Sequence, residues 1–283
     1  MERLEGRVAF ITGGARGIGL GIARALAQNG VKLALVDIDR TALNAAHDEL
    51  SASSPTTVYQ LDVRDREAYA HVADEVEATL GPVSLLFNNA GVAGEPPTDQ
   101  LTYEIWDWTL GINVFGVVNG IQTFLPRLIS RGGDAYIVNT ASGAGVVMAG
   151  AGLAYTTSKF AVVGLSEALR QKLAPRGIGV SVLCPGYVAT GIAKNSASLR
   201  PSRGSPPSSA PVSAHAAAKR SRAAASFAGG ASIDAVGEMV IAAMRARQFY
   251  IFTDDMVGEF VERRNAEIGA ALARAPRINK AST

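Results

Sequence analysis

The sequence predicts an α/β protein, a doubly wound parallel sheet of about seven strands with helices on both faces. Three observations carry this. Short β-rich runs that are apolar on both faces recur along the chain, helical patterns separate them, and the first run exits through a glycine-rich turn straight into a helix. A strand that is apolar on both faces needs cover on both sides, and crossover helices supply it.

The elements follow in order. V-A-F-I-T at 8–12 is the first strand, and T-G-G-A-R-G-I-G at 12–19 leads from it into a helix from about Gly17. V-K-L-A-L-V-D at 31–37, a helix from about Arg40, and T-V-Y-Q-L-D at 57–62 repeat the unit. A helix from about Asp65 then precedes V-S-L-L-F-N-N-A at 83–90, and a long helix from about Thr102 to Ser130 precedes A-Y-I-V-N-T-A-S at 135–142. A helix from about Leu153 and the run G-V-S-V-L-C-P-G at 179–186 continue the alternation. Residues 191–232, dominated by Ala, Ser, Pro and Arg, break it, because such a composition cannot build a core of its own. A helical pattern returns at 233–245, followed by a strand at 249–253 and a terminal amphipathic helix. Because the sheet resumes, residues 1–283 read as one domain, and 191–232 as a flexible substrate-lid insertion within it.

Composition narrows the class. With 283 residues, 48% hydrophobic and 18% charged, the chain can bury one large core. No apolar stretch approaches the roughly 20 residues that a membrane helix needs, and the N-terminus carries no long apolar leader. Cys184 is the single cysteine and lies in an apolar run, so no intrachain disulfide forms, which fits a reducing cytoplasm. The net charge of +2 belongs to one segment: residues 191–233 hold six Lys or Arg and no acid, leaving 27 − 6 = 21 basic against 25 acidic residues elsewhere. Nucleic-acid binding, which calls for a basic face on folded elements, is not indicated. His47, His71 and His215 show no ligand spacing, and no metal site is expected.

The glycine-rich turn points to a dinucleotide. Gly13, Gly17 and Gly19 allow a tight turn, close backbone approach to a pyrophosphate and close helix-on-strand packing, while the helix N-terminus around Arg16 and Ile18 presents amides to phosphate. Asp37 ends the second strand, eighteen residues after Gly19, where a carboxylate can accept both hydroxyls of the adenosine ribose and would repel a 2′-phosphate. NAD is therefore favoured over NADP, with Arg16 as the competing sign because it could pair with that phosphate. Asp62 and Val63, at the end of the third strand, could hold the adenine ring.

Tyr155 and Lys159 in A-Y-T-T-S-K-F-A stand four residues apart, hence on one helix face one turn on, and Ser142 ends an apolar run thirteen residues upstream. A phenol that exchanges protons near neutral pH needs a neighbouring cation, and Lys159 is placed to be one. In combination with the glycine turn, these residues suggest carbonyl and alcohol chemistry.

The chain resembles the short-chain dehydrogenase/reductase family along most of its length. The resemblance lies in Thr12, Gly13, Gly17 and Gly19; in N-N-A-G at Asn88 to Gly91; in Asn113 within G-I-N-V-F-G; in Ser142, Tyr155 and Lys159; and in Pro185, Gly186 and Thr190 as P-G-x-x-x-T. It implies a Rossmann fold and hydride transfer between a nicotinamide and a carbinol or carbonyl carbon. Tyr155 would then exchange the proton and Ser142 would steady the developing charge. Lys159 would lower the phenol pKa and hold the nicotinamide ribose, and Asn113 would anchor a water path from Lys159. Asn89 and Gly91 would shape the cofactor floor, with Pro185, Gly186, Val188 and Thr190 at the nicotinamide carboxamide.

Substrate choice in this family lies in the loop after Ser142, the segment after Gly186 and the C-terminal part. Here those offer Val146, Val147, Met148, Leu153, Tyr187, Ile192 and Phe227, so a bulky hydrophobic secondary alcohol or ketone, aryl or steroid-like, is expected, with Ser142, Val147, Tyr155 and Tyr187 touching it. The stretch from Thr102 to Gly120 is similar to Cα-dehydrogenases of lignin-derived aryl ethers, while Trp106 and Trp108 read as packing residues. Two alternatives stand. One is an NADP-dependent reductase of an anionic substrate such as a 3-oxoacyl thioester, recruited by Arg200, Arg203, Lys219 and Arg220; the other is a non-catalytic nucleotide-sensing protein. The C-terminal F-Y-I-F-T-D-D departs from the family's usual D-G-G, which puts the usual tetramer contacts in doubt and leaves a homodimer or a homotetramer open.

Overall fold

The structure is a computed structural model that describes residues 1, 3–148, 150–201 and 229–276. Seven strands form one all-parallel sheet in the order β3-β2-β1-β4-β5-β6-β7: β1 Val8–Thr12, β2 Lys32–Asp37, β3 Thr56–Gln60, β4 Val83–Asn88, β5 Tyr136–Thr140, β6 Gly179–Cys184 and β7 Tyr250–Phe252. The helices are α1 Gly17–Gln28, α2 Arg40–Leu50, α3 Arg66–Leu80, α4 Tyr103–Leu110, α5 Gly116–Arg131, α6 Leu153–Leu173, α7 Ile192–Leu199, α8 Ile233–Ala246 and α9 Gly258–Ala273.

Alternation along each strand divides the core in two. Ala9 and Ile11 of β1 with Leu33 and Leu35 of β2 face Ile22 and Leu26 of α1, Leu43 of α2 and Val240 of α8. Val8 and Phe10 with Ala34 and Val36 face Tyr69 of α3, Phe124 of α5 and Val162 of α6. Both faces of the strands are thus covered, as their continuous apolar runs require. Phe10, Tyr69 and Phe124 cluster at the centre of the second layer, with Phe10 and Phe124 ring centroids 4.7 Å apart.

Strand order reverses between β1 and β4, and the carboxyl ends of the strands on either side of that point define a crevice. Thr12, Asp37, Asn88 and Thr140 end their strands there, which is why the loops that follow them build the site.

Two elements differ from the sequence expectation. The long helix expected over 102–130 is interrupted by a π-helical turn at Gly111–Phe115, with Asn113 in its middle; a π turn widens the helix locally and such turns gather at functional sites. Within the segment expected to be irregular, residues 192–199 form helix α7. The pairing of β7 with β6 places residues 250–252 in the same sheet as the N-terminal strands. No helix among the described residues is long and apolar enough to cross a membrane.

Candidate active site

At the cofactor end, the β1–α1 turn is built by contacts that only glycine allows. Gly13 has φ +62°, and a Cβ on Gly19 would stand 2.1 Å from the Gly13 carbonyl oxygen. Thr12 Oγ1 accepts from the amides of Asn89 at 3.0 Å and Ala90 at 3.1 Å, so the turn is tied to the loop after β4. Asn89 Nδ2 donates to the carbonyls of Thr12 and Gly13 at 3.1 and 3.2 Å, and its Oδ1 accepts from Thr140 Oγ1 at 3.2 Å, joining β1, β4 and β5 at the crevice floor.

Asp37 is 7% exposed at the end of β2 and faces the cleft. Burial holds its carboxyl above the ordinary carboxylate range, against the amides of Asp39 and Ala15 and the Arg16 charge, which pull the other way. Arg16, the residue that could meet a 2′-phosphate, makes an ion pair with Asp39 instead. The Ala42 amide and that pair hold the Asp39 carboxyl below the usual range. Asp62 and Val63 line the cleft on the far side of Asp37, and the Arg64 guanidinium, 2.6 Å away through Nη2, keeps the Asp62 carboxyl low.

Ser142, Tyr155 and Lys159 line the same cleft. Ser142 stands two residues past β5, and its hydroxyl is near enough to Tyr155 of α6 to favour the phenolate. Lys159 is 3% exposed, donates from Nζ to the Thr140 carbonyl at 3.1 Å, and lies 5.6 Å from the Tyr155 ring centre. Burial lowers the Lys159 ammonium to about 8 from its ordinary 10.5. The Tyr155 phenol is shifted upward, because burial penalises the phenolate more than the Ser142 hydrogen bond favours it. Burial, rather than the neighbouring Lys159, sets the direction of the phenol's shift. Cys184, at the end of β6, is buried and pushed up to about 12, an inert thiol beside Lys159.

Asn113 does not line the cleft. Its Oδ1 accepts from Val92 N–H at 2.8 Å, and its Nδ2 donates to Val92 O at 3.0 Å and to Ser158 Oγ at 3.0 Å. Both amide hydrogens are engaged, so the side chain braces the Gly91–Val92 backbone against α6. Gly91 lies between them, with a would-be Cβ 3.3 Å from Asn113 Oδ1 and 3.4 Å from Lys159 Nζ.

The cleft encloses about 970 Å³. Of the expected residues it gathers Gly13, Arg16, Ile18, Asp37, Asp62, Val63, Asn89, Gly91, Ser142, Tyr155, Lys159, Pro185, Gly186, Tyr187, Val188, Thr190 and Ile192 in its wall. Gly17 sits behind Thr190, with a would-be Cβ 3.4 Å from Thr190 Cγ2. Val147 is a correction: it is 2% exposed and packs inward after the short helical turn Gly143–Gly145, away from the cleft. Met148 and Leu153 are exposed and do not line it either. Arg200 donates to the Gly94 carbonyl at 2.8 Å rather than facing a ligand. Arg203, Lys219, Arg220, Phe227 and His215 lie outside the described residues. His47 and His71 sit on α2 and α3 beside Asp48 and Glu75. No group of three or more potential metal ligands occurs among the described residues.

Sequence reasoning missed many wall residues, among them the following four. Trp108 of α4, read as packing, is buried and reaches the cleft; Glu95 and Pro96 enter from the loop after β4, and Met256 enters from the segment after β7. Periodicity could not find the last three, since they stand on loops.

Comparison with known proteins agrees with this geometry. Residues 7–200 match the family model for short chain dehydrogenase. The chain is 42% identical over 205 residues to a C alpha-dehydrogenase from Sphingobium sp. strain SYK-6, covering 72% of this chain and 67% of that protein. It is 38% identical over 189 residues to a D-threitol dehydrogenase from Mycolicibacterium smegmatis, covering 66% and 72%. A short chain dehydrogenase/reductase from Burkholderia phymatum, solved in complex with NAD, superposes with a TM-score of 0.88 at 32% identity over 100% of both chains.

Proposed function

This chain belongs to the short chain dehydrogenase family, an oxidoreductase of alcohol groups, and on that footing we propose that it transfers hydride between NAD(H) and a bulky, largely apolar secondary alcohol or ketone. The observation that carries this reading is the meeting of Ser142, Tyr155 and Lys159 in one cleft with Asp37 at its other end.

The residues fit a dinucleotide. The Gly13–Gly19 turn is so close that a Cβ on Gly13 or Gly19 would strike the backbone of Ala90 or Gly13, and the α1 N-terminus adds amides and a positive dipole end for phosphate. Asp37 offers a desolvated carboxylate that gains from two ribose hydroxyl donors and loses from a 2′-phosphate. With Arg16 paired to Asp39, the cation that would favour NADP is engaged, which supports NAD. Thr140, Asn89 and the 185–190 loop would hold the nicotinamide half.

When bound, the cofactor supplies the hydride acceptor or donor. The chain supplies the proton and the orientation. Ser142 and Tyr155 present their oxygens to one substrate oxygen: in reduction the Tyr155 phenol gives its proton to the carbonyl oxygen, in oxidation the Tyr155 phenolate takes the alcohol proton, and in both Ser142 stabilises the charge on that oxygen. Lys159, anchored on Thr140, keeps a cation beside the phenol in a dry pocket where its field is weakly screened. Trp108, Ile112, Pro96, Pro97, Ile192, Leu199, Met256 and Val257 make much of the remaining wall apolar, beside Glu95, Asn195 and Ser198, and this favours a ring-bearing substrate over a small polyol.

The test is Tyr155→Phe. It should bind NADH as the wild type does and lose turnover of an aryl secondary alcohol by about 10³-fold, within the range of lost acid–base catalysis. Wild-type turnover in that variant would remove Tyr155 from the chemistry.

A further inference from the structure

The helix that carries Tyr155 and Lys159 starts without a cap of its own. Its N-cap residue is Gly152, which has no side chain to offer the free amides of the first turn. Those amides meet a carboxylate from another part of the chain: Ala154 N–H donates to Glu95 Oε1 at 3.1 Å and Tyr155 N–H to Glu95 Oε2 at 2.7 Å. A carboxylate at a helix N-terminus is favoured both by the unpaired donors and by the helix dipole. Gly152 is what admits it, since a Cβ there would stand 2.2 Å from Glu95 Cδ.

Glu95 is delivered by a loop that is fixed residue by residue. Val92 is held on both sides of its peptide by Asn113, Ala93 N–H donates to Ser196 Oγ of α7 at 2.9 Å, and the Gly94 carbonyl accepts from Arg200 at 2.8 Å. The carboxylate therefore arrives in one place, and the amide it grips is that of the residue whose phenol meets Ser142.

We propose that Glu95 is the positioning residue of the reacting tyrosine, holding the first turn of α6 so that the Tyr155 phenol stays against Ser142. This rests on the reading of Tyr155 as the acid/base. Glu95 also places a negative charge at the N-terminus of α6, opposing the partial positive charge there, and a negative neighbour disfavours phenolate. A purely structural strut would not do that.

The experiment combines Glu95→Gln, Gly152→Ala and the double variant, with 1-phenylethanol and NAD⁺ for turnover and NADH titration for cofactor binding. Glu95→Gln leaves one acceptor and no charge; Gly152→Ala expels an intact Glu95. Each single variant should lower kcat by about 10- to 100-fold, as expected for a misplaced reacting group, with NADH affinity kept within about twofold. Each should lower the Tm of the cofactor-free protein by about 2–4 °C, the scale of a lost helix cap. The double variant should be no worse than Gly152→Ala alone, because Gly152→Ala already displaces the Glu95 side chain from those amides. The limb of the kcat–pH profile that reports the phenol should move to lower pH in Glu95→Gln. Unchanged kcat and pH limb in Glu95→Gln, additive losses in the double variant, or NADH affinity falling in step with kcat would each overturn the proposal. Tyr155→Phe run in parallel separates the two ideas: an inactive Phe variant beside a wild-type-like Gln variant removes only the role of Glu95.

Discussion

Replacing Lys159 by Met should make the cofactor-free protein more stable and catalytically inert. The ammonium is 3% exposed, and burial lowers it from 10.5 to about 8. At 1.36 kcal/mol per pH unit, keeping it charged inside the protein costs about 3 kcal/mol at neutral pH. Met fills nearly the same volume without the charge, but it leaves the Thr140 carbonyl without its donor, a loss of about 1–2 kcal/mol. The balance is a gain of about 1–2 kcal/mol, or roughly 2–8 °C in Tm for a chain of this size. The sign with pH follows from proton counting. Between about 8 and 10.5 the folded protein has released the Lys159 proton and the unfolded chain still holds it, so stability rises with pH across that window and the charge penalty is felt in full below it. Differential scanning calorimetry of the cofactor-free protein and Lys159→Met from pH 7 to 10.5 reads this directly. The variant should be the more stable at pH 7, with the advantage shrinking toward pH 10.5. A variant that melts at or below the wild type at pH 7 would refute the reasoning, because the ammonium would then be stabilising where it stands.

Other substitutions test the two ends of the cleft. Asp37→Asn should weaken NADH binding by about 10- to 100-fold, the worth of one or two charge-assisted hydrogen bonds, in fluorescence titrations. The same change should raise the Tm of the cofactor-free protein near pH 7, because the folded Asp37 carboxyl titrates above its unfolded value and its burial penalty is lifted only as pH falls through the folded pKa; an unchanged or lower Tm would argue against that burial cost. Gly19→Ala brings a methyl to 2.1 Å from the Gly13 carbonyl, so it should abolish measurable NADH binding, and wild-type affinity would show that the turn has room to shift. Asn113→Ala frees the Val92 peptide and should reduce kcat by at least about 10-fold with smaller effect on NADH affinity; the opposite split would place Asn113 at the cofactor rather than at α6.

The sheet was legible because its runs are apolar on both faces, and the turn after β1 because glycines 13 and 19 stand where backbone passes close to backbone. The Tyr155–Lys159 pair was legible as a helical spacing. What the spacing could not tell is that burial, rather than mutual attraction, dominates both groups. The Arg16–Asp39 pair was missed because the two residues lie 23 apart and only the β2 exit brings them together, and with it the competing sign for NADP takes a different meaning. Glu95 was invisible for the same reason: its partners are 59 and 60 residues away. Val147 was misplaced because an apolar residue after Ser142 can turn either into the cleft or into the core, and the turn at Gly143–Gly145 sends it to the core. The π turn at Asn113 has no periodic signature, since one widened turn hardly disturbs the apolar stripe on either side.

Hydride transfer between NAD and a bulky secondary alcohol through Tyr155 is the function proposed for this cleft. Following NADH absorbance with NAD⁺ or NADP⁺ against aryl secondary alcohols, a steroid alcohol, D-threitol and a 3-hydroxyacyl thioester tests it most directly. The highest kcat/KM is expected for an aryl or steroid alcohol with NAD⁺, at least about tenfold above the same alcohol with NADP⁺; preference for NADP⁺, or for the polyol or thioester over every ring-bearing alcohol, would overturn the proposed function.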